Sequence, residues 1–486
     1  MNNLDELLQR LIRVIKQIWN EEQIPDDWNE AIYIPLHKKG ARTECDNYRG
    51  LSMLTIGYKV LANVLYRILF PYYKACVGSY QAGFLPSKST VDNIFALRQI
   101  CEKYREYGKE AWHVFVDFSQ AYDSVHRGSL WNILRHFEVP EKLVRVLQAC
   151  YCSTRGRVRI DGQLTGAFQV NTGLKQGCPL SCALFNMVLE WIMRRTPRQN
   201  DPILFRDNIV LDRLAYADDV DFFGELFQPR DRQMNTFRRE SKRTGLGVKE
   251  AKTKIMGVSR IPRDVDFADV GDLMLEVVDS FKYLGSTITT DNNMAEEVKL
   301  RISSASKCSW GLKNIIGSKV LSRATRIQAY TVLIRPVATY ACETWTLTNE
   351  LENMLLVFEH RILRRILGPV RDEVTGEWRI RHNAELRELT RLSPITSFIR
   401  AQRLRWAGHV ARMPDDDLVK QVSRGTPYGH RPPGRPRKRW ADNIREDLTL
   451  LGVPNPQDWW DLAQNRSEWR HLVQAAKDHP GLQLRE

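Results

Sequence analysis

Three aspartates stand where a carboxylate is costly. Asp117 halts the apolar, β-branched run Val114-Phe115-Val116, and Asp218 and Asp219 interrupt a second hydrophobic stretch over 214–223. Both runs have the composition of β-strands. A carboxylate buried in a strand is expensive unless it is paired or binds a cation. Three on neighbouring strands make a hard, oxygen-rich site that suits Mg²⁺ held between protein and substrate phosphates. Two such ions can clamp the attacking and leaving oxygens of a phosphoryl transfer. The chemistry implied is two-metal nucleotidyl transfer.

Composition agrees with a phosphate-bearing partner. Lys and Arg number 72 against 58 Asp and Glu, for a net charge of +14 over 486 residues. Such an excess favours a polyanion, nucleic acid first. No stretch is long and apolar enough to span a bilayer, and the start, Met1-Asn2-Asn3-Leu4-Asp5-Glu6, has no signal-peptide layout. The nine cysteines lack zinc-finger spacing and their odd number argues against a disulfide framework, so a reduced, intracellular chain is expected. The length calls for two to four domains.

The elements that must position the aspartates are mixed. Helical spacing runs over 4–19, over 56–70 with Pro71 expected to close it, and over 92–107. Residues 28–36 read as extended. The strand with Asp117 follows, then helices over 130–137 and 141–152. A hairpin is expected over 156–170, turning at Asp161-Gly162. A loop with Gly173, Gly177 and Pro179 leads into an apolar helix over 183–193. Strands and helices alternate without regular βαβ repetition, which predicts an α+β fold. After Gly285 the pattern turns helical, including an amphipathic 351–367. Residues 427–439 are too rich in Pro, Gly and Arg to be expected to pack. Trp459, Trp460 and Trp469 are expected core residues of a closing helical segment.

In this order the motifs resemble reverse transcriptases of non-LTR (LINE-type) retrotransposons, with a tail similar to the RTE-like and Jockey-like groups. The resemblance covers residues 28–440. Phe115-Val116-Asp117-Phe118-Ser119-Gln120-Ala121-Tyr122-Asp123 is similar to motif A. It implies that Asp117 ligates both metals and that Tyr122 is the ring that excludes a 2′-OH. Tyr122 as a plain core aromatic, and Asp123 as a helix cap rather than a ligand, are the plainer readings. Ala215-Tyr216-Ala217-Asp218-Asp219 resembles motif C and implies Asp218 and Asp219 as the other metal ligands. Motif B is Gly173-Leu174-Lys175-Gln176-Gly177-Cys178-Pro179-Leu180-Ser181. By the resemblance Gln176 and Gly177 contact template and incoming nucleotide; Cys182 stands where the family more often has Pro.

Lys38, Lys39 and Arg49 match positions that grip a triphosphate, although Lys-Lys-Gly is also a common exposed turn. Phe118 joins this nucleotide-binding set. Gln81-Ala82-Gly83-Phe84 is expected along the template. Lys252, in a segment similar to motif D, is the expected acid that protonates pyrophosphate; Lys249 replaces the usual Asn. Phe281-Lys282-Tyr283-Leu284-Gly285 matches the primer grip, with Tyr283, Leu284 and Gly285 holding the primer end.

Eleven basic residues between 400 and 439 face only Asp415, Asp416 and Asp417. Arg431, Arg435, Arg437, Lys438 and Arg439 are the expected nucleic-acid-binding tail; Pro433-Gly434-Arg435-Pro436-Arg437 resembles part of an AT-hook. A nuclear localisation signal at Lys438-Arg439 and a solvated charge run are alternatives.

The resemblance implies a right-hand polymerase: fingers with an N-terminal helix over 1–110, palm over 111–285, helical thumb over 286–370, and a basic, largely helical C-terminal extension over 371–486. It implies an RNA-directed DNA polymerase using an RNA template, a DNA primer, deoxynucleoside triphosphates and two Mg²⁺ ions (or Mn²⁺), with no membrane partner, acting in the nucleus or the cytoplasm. The alternatives are an inactive or host-adopted remnant that only binds nucleic acid, and an RNA-dependent RNA polymerase, against which Tyr122 and Tyr-x-Asp-Asp argue. No room for the family's upstream endonuclease is expected before Trp28.

Overall fold

The computed structural model describes residues 2–478 apart from residues 39, 199–200, 227–230, 261–264 and 435–436, and apart from the side chains of residues 2–4 and 46. Its centre is a six-stranded sheet. In spatial order the strands are Arg213–Tyr216, Asp219–Gly224, Ala111–Val116, Lys254–Val258, Leu273–Val277 and Phe267–Val270. Ala111–Val116 lies antiparallel to both neighbours, with Val116 opposite Val220 and Phe115 opposite Lys254. This strand is buried on both faces. Trp112, Val114 and Val116 point into one core, and Ala111 and Phe115 into the other. The period-2 alternation of strand side chains therefore fixes which way Asp117, next in line, must leave the sheet.

Two helices clamp the sheet. Pro179–Arg195 is buried along most of its length, as its apolar sequence predicts. Thr90–Glu106 is buried at eleven positions, and the Asp92 carboxylate at its start accepts from the Ser89 amide and hydroxyl, both at 2.8 Å. Ile56–Cys76 does not end at Pro71 as expected. The ring removes one helical hydrogen bond, but Tyr73 and Cys76 beyond it are buried, and Asn186 donates to the Tyr73 hydroxyl at 2.7 Å. Burial outweighs the local penalty.

A smaller sheet sits to one side. Glu30–His37 pairs antiparallel with Tyr48–Met53 and parallel with Arg155–Ile160. The expected turn is present: Asp161 and Gly162 both have positive φ, 48° and 83°.

From Met294 onward the chain is mainly helical. Met294–Gly311, Asn349–Leu367 and the start of Ile395–Ala411 share one core, so the boundary expected at 370 falls inside packed structure. The last layer, Ile395–Ala411, Trp440–Leu450 and Arg466–Asp478, docks on the helix Thr90–Glu106. Phe95 of that helix meets the rings of Trp440 at 4.7 Å and Trp406 at 5.6 Å. Trp459 and Trp469 are core, and Trp460 stacks on Trp459.

The basic tail is not the open stripe that its composition suggested. Arg400 and Arg403 are buried and both bind Asp447 at 2.8–2.9 Å through their Nε atoms. The described residues of 427–439, which exclude 435 and 436, pack after all. Pro427 bridges to Phe205, Pro432 lies beside Gly108, Arg431 and Arg439 both reach Glu106, and Lys438 reaches Glu446. Acidic residues distant in sequence make this possible. All nine cysteines are free, and among the described residues no helix is long and apolar enough to cross a membrane.

Candidate active site

Asp117 leaves the end of the central strand under two backbone constraints. Its carbonyl accepts from the Lys249 amide at 2.8 Å, and its amide donates to Thr253 Oγ1 at 3.3 Å. Val248 pairs with Phe118 across a short ladder. The loop 249–253 is thereby wrapped around Asp117, and Lys252 Nζ lies 3.4 Å from Asp117 Oδ2. Nothing in the linear sequence links these residues; the strand pairing does.

Asp218 and Asp219 sit at the tip of the neighbouring hairpin. Tyr216 pairs with Asp219, which leaves Ala217-Asp218 as a two-residue turn. Ala217 has φ +54°, an unusual value for a residue with a Cβ, and such strain persists only where surroundings enforce it. Gln81 does so. Its Oε1 accepts from the Ala217 amide at 2.8 Å and from Gly83 at 2.7 Å, while Nε2 donates to the Ala217 carbonyl at 3.4 Å. Gly83 has no alternative residue: a Cβ there would fall 2.2 Å from the Ala217 nitrogen. Asn93 completes the brace by donating to the Ala215 carbonyl at 2.9 Å. Gln81 and Gly83, expected along the template, brace the Ala217-Asp218 turn. Asn93 was missed altogether, because a buried amide in an apolar helix carries no motif. A Gln two residues before a Gly, both in one matched segment, was the available signal for Gln81.

Asp218 and Asp219 bind protons more tightly than ordinary carboxylates. Burial pushes Asp218 upward, with the charge of Asp117 adding to it. Asp219 reaches solvent at the hairpin tip, yet desolvation by the surrounding protein, then Asp218 and Asp117, push it up to about 7. Asp117 Oδ2 has no hydrogen-bond donor. Among the described residues no group of three His, Cys, Asp or Glu side chains is already gathered closely enough to hold a metal ion. An all-oxygen donor set whose charges repel fits a divalent cation, which would remove the repulsion.

Tyr122 lies beside this turn. Its ring stacks on Phe185 at 4.7 Å, and its hydroxyl is buried without a partner near the Cys182 thiol; burial first, then Cys182 and Asp218, drive its pKa strongly upward, so it stays neutral. Gly173 passes so close that a Cβ would fall 2.5 Å from the Asp123 carbonyl oxygen. Gln176 Nε2 donates to Asp123 Oδ2 at 2.9 Å, so Asp123 does not cap a helix but anchors the motif B loop. Desolvation raises Asp123, while the Gln176 bond and the positive charges of Lys38 and Arg49 oppose it. Lys38, Arg49, Gln176 and Asp123 thus face one cleft. Gly177, at φ +103°, follows Gln176, whose carbonyl accepts from the Ser52 amide at 3.1 Å. Lys175, also missed, is buried with its ammonium over the Tyr58 ring and bonded to the Cys150 carbonyl at 2.8 Å.

Other expectations change. Phe118 is 7 % exposed and packs on Phe237, so its side chain belongs to the core rather than to a nucleotide site. Tyr283 is likewise buried, with its hydroxyl accepting from Asn93 at 3.2 Å. What the primer-grip hairpin presents is its turn, Leu284 and Gly285, at φ +46° and +85°. Tyr340 donates to the Leu284 carbonyl at 2.8 Å, and Arg301 to that of Gly285. Lys39 and Arg435 lie outside the described residues. Arg431, Arg437, Lys438 and Arg439 are far from the carboxylates, on the side of helix Thr90–Glu106 that carries Glu106.

A strand-borne carboxylate beside an Asp-Asp hairpin, flanked by a basic cleft and a helical layer, defines a right-hand nucleic-acid polymerase. More specifically, residues 36–288 match the model of the family "Reverse transcriptase (RNA-dependent DNA polymerase)", and the chain belongs to that family. Polymerases of this family use divalent metal ions and take an RNA template and nucleotide substrates. Among similar proteins, a putative transposon-derived protein of Caenorhabditis elegans is 25% identical over 269 residues, 54% of this chain and 95% of that one. The Pol polyprotein of the retrotransposable element R2DM of Drosophila melanogaster is 29% identical over 145 residues, covering 30% of this chain and 14% of that polyprotein. A probable RNA-directed DNA polymerase from transposon BS of the same fly is 22% identical, covering 73% of this chain and 40% of the relative. The chain therefore spans less than half the length of these two longer relatives. The likeness to non-LTR retrotransposon enzymes read from the motifs agrees with these names. A telomerase from Candida tropicalis gives a TM-score of 0.41 at 10% identity, covering 87% of this chain and 75% of that one.

Proposed function

We propose that this chain copies RNA into DNA by adding deoxynucleotides to the 3′-OH of a DNA primer. The observation that carries this reading is the meeting of Asp117, Asp218 and Asp219 beside Lys252, within a family match that spans them. In this reading residues 1–110 form fingers with an N-terminal helix, 111–285 the palm, and 286–486 a thumb whose core runs on into the C-terminal extension. Asp117, Asp218 and Asp219 hold two divalent cations, Mg²⁺ or Mn²⁺, which when bound lower the pKa of the primer hydroxyl and neutralise the pyrophosphate. Lys38 and Arg49 draw the triphosphate into the cleft electrostatically. Gln176, fixed by Asp123, orients the templating pair. The Tyr122 ring occupies the space a 2′-OH needs, so ribonucleotides are rejected by clash. Lys252, now 3.4 Å from Asp117, delivers a proton to the leaving pyrophosphate. The turn at Leu284-Gly285 holds the primer end in line. The work is placed in the nucleus, which localisation of the tagged full chain tests.

The test is extension of a DNA primer on an RNA template with Mg²⁺ and either deoxy- or ribonucleotides. Extension with deoxynucleotides supports the proposal. Binding without extension supports an inactive remnant, and extension with ribonucleotides alone an RNA polymerase.

A further inference from the structure

Away from the carboxylates the molecule has a second cationic site. A cavity of about 650 Å³ opens where the end of helix Thr90–Glu106, the residues after the primer-grip hairpin and the basic arm meet. Six cations line it: Arg98, Arg105, Arg260, Arg437, Lys438 and Arg439. Against them stand Glu102, Glu106 and Asp291. Arg439 is neutralised by Asp442 and Glu106, and Lys438 by Glu446. The other four behave differently. Arg105 donates to the carbonyls of Ser259 and Thr290, and Arg260 to those of Arg105 and Glu106. Arg437 donates to the Asp291 carbonyl at 3.0 Å and stays 3.9 Å from its carboxylate. Arg98 donates to Ser286 Oγ and the Thr287 carbonyl. Carbonyls satisfy geometry without cancelling charge. These bonds therefore fix a set of guanidiniums whose positive field is offset only in part, by Glu297 near Arg98 and by Asp291 near Arg105 and Arg437.

Two further observations point to a ligand. Arg98 is 3% exposed and its Nε has no partner; Asn292 Oδ1, in the same wall, is buried and also without one. Unpaired buried polar atoms are rare and need an explanation. Glu102, in this wall, is pushed up to about 7 by burial, so near neutral pH it offsets the positive charge only in part.

We infer that this cavity binds the phosphodiester backbone of a single-stranded segment of nucleic acid. Planar guanidinium forks suit phosphate oxygens. A double helix, whose major groove alone is about 12 Å wide, is too broad to enter. Arg437, from the segment that resembles an AT-hook, stands in the cavity wall. Asn93 touches the catalytic hairpin and Arg105 lies twelve residues further along the same helix, so the cavity is about 18 Å away along the helix axis. A strand could lie in both sites at once.

The test measures binding and is independent of extension. Affinity of the full chain for short fluorescent single-stranded RNA, single-stranded DNA and duplex DNA is followed against salt, for the wild type and for R260Q/R437Q. Both side chains are exposed at the rim, so the fold is retained. Losing two phosphate contacts should lower the slope of log K against log salt by about 1.4, at about 0.7 per contact for single strands, with a several-fold loss of affinity. R260K/R437K should keep the slope. R470Q/K477Q, an equal change of charge on the exposed face of Arg466–Asp478, should also leave it unchanged. Loss with both sugars assigns recognition to the phosphodiester, and loss with RNA alone to an RNA strand; either supports the site. An unchanged slope for R260Q/R437Q, an equal drop in R470Q/K477Q, or loss confined to duplex DNA overturns it.

Discussion

At the scale of single residues, function rests on charge placed where water is scarce. Asp218→Asn or Asp219→Asn should lower primer extension at least a hundredfold, about 3 kcal/mol of transition-state stabilisation, with folding intact by circular dichroism. Tyr122→Ala should admit ribonucleotides by removing the ring beside Asp218; competition between deoxy- and ribonucleotides in one reaction reads this, and unchanged preference removes the gate. A second charged pair serves the sheet itself. His113 and Asp221 are fully buried and 2.9 Å apart. Desolvation pulls His113 down, but the Asp221 charge and hydrogen bond more than offset it, and the imidazolium is held up to about 9. A histidine raised above its ordinary 6.5 stabilises the fold fully below that value and loses the contribution as pH rises through 9. Denaturant titrations across pH 6–10 should show this decline in the wild type and not in His113→Asn, which should also cost about 3–5 kcal/mol at pH 6 by stranding Asp221.

Among the elements, the Asp218-Asp219 hairpin depends on a residue 136 positions away in sequence. Residues 80–83 add to the edge of the sheet at Arg213–Tyr216 and fix the strained Ala217 turn through Gln81. Gly83→Ala should therefore impair kcat more than primer–template KM, since the added methyl meets the Ala217 nitrogen rather than substrate. Gln81→Ala should act in the same direction, and a double variant should be less than additive because both changes release one turn. Equal effects on KM would instead return this segment to the template path. The primer-grip hairpin is held in a similar way from the helical layer, by Tyr340 and Arg301 on its two turn carbonyls.

On the scale of the whole molecule, the C-terminal layer is fastened to the polymerase core rather than appended to it. Asp447 binds Arg400 and Arg403, all three buried, and Phe95 joins that layer to helix Thr90–Glu106. Asp447→Ala leaves two buried guanidiniums uncompensated and should destabilise by about 3–5 kcal/mol. Thermal unfolding should show the loss, and because the layer shares helix Thr90–Glu106 with the sheet, extension should fall with it.

Much of this was legible in the linear chain, for a physical reason. Asp117, Asp218 and Asp219 break hydrophobic strand patterns, and a broken pattern is a local signal. The turn at Asp161-Gly162, the helix over 90–106 and the α+β class follow from φ preferences and periodicity, which are also local. Tertiary structure decided everything that depends on a partner distant in sequence. It turned Phe118 and Tyr283 into the core, made Gln81 a brace, and carried the helix of residues 56–76 through Pro71 because burial beyond it outweighs one lost hydrogen bond. It also separated the basic tail into buried pairs and a cavity wall, since a residue's charge is written in the sequence but its neutralisation is not. The acidic residues that answer Arg400, Arg403 and Arg431 lie 44 to 325 positions away.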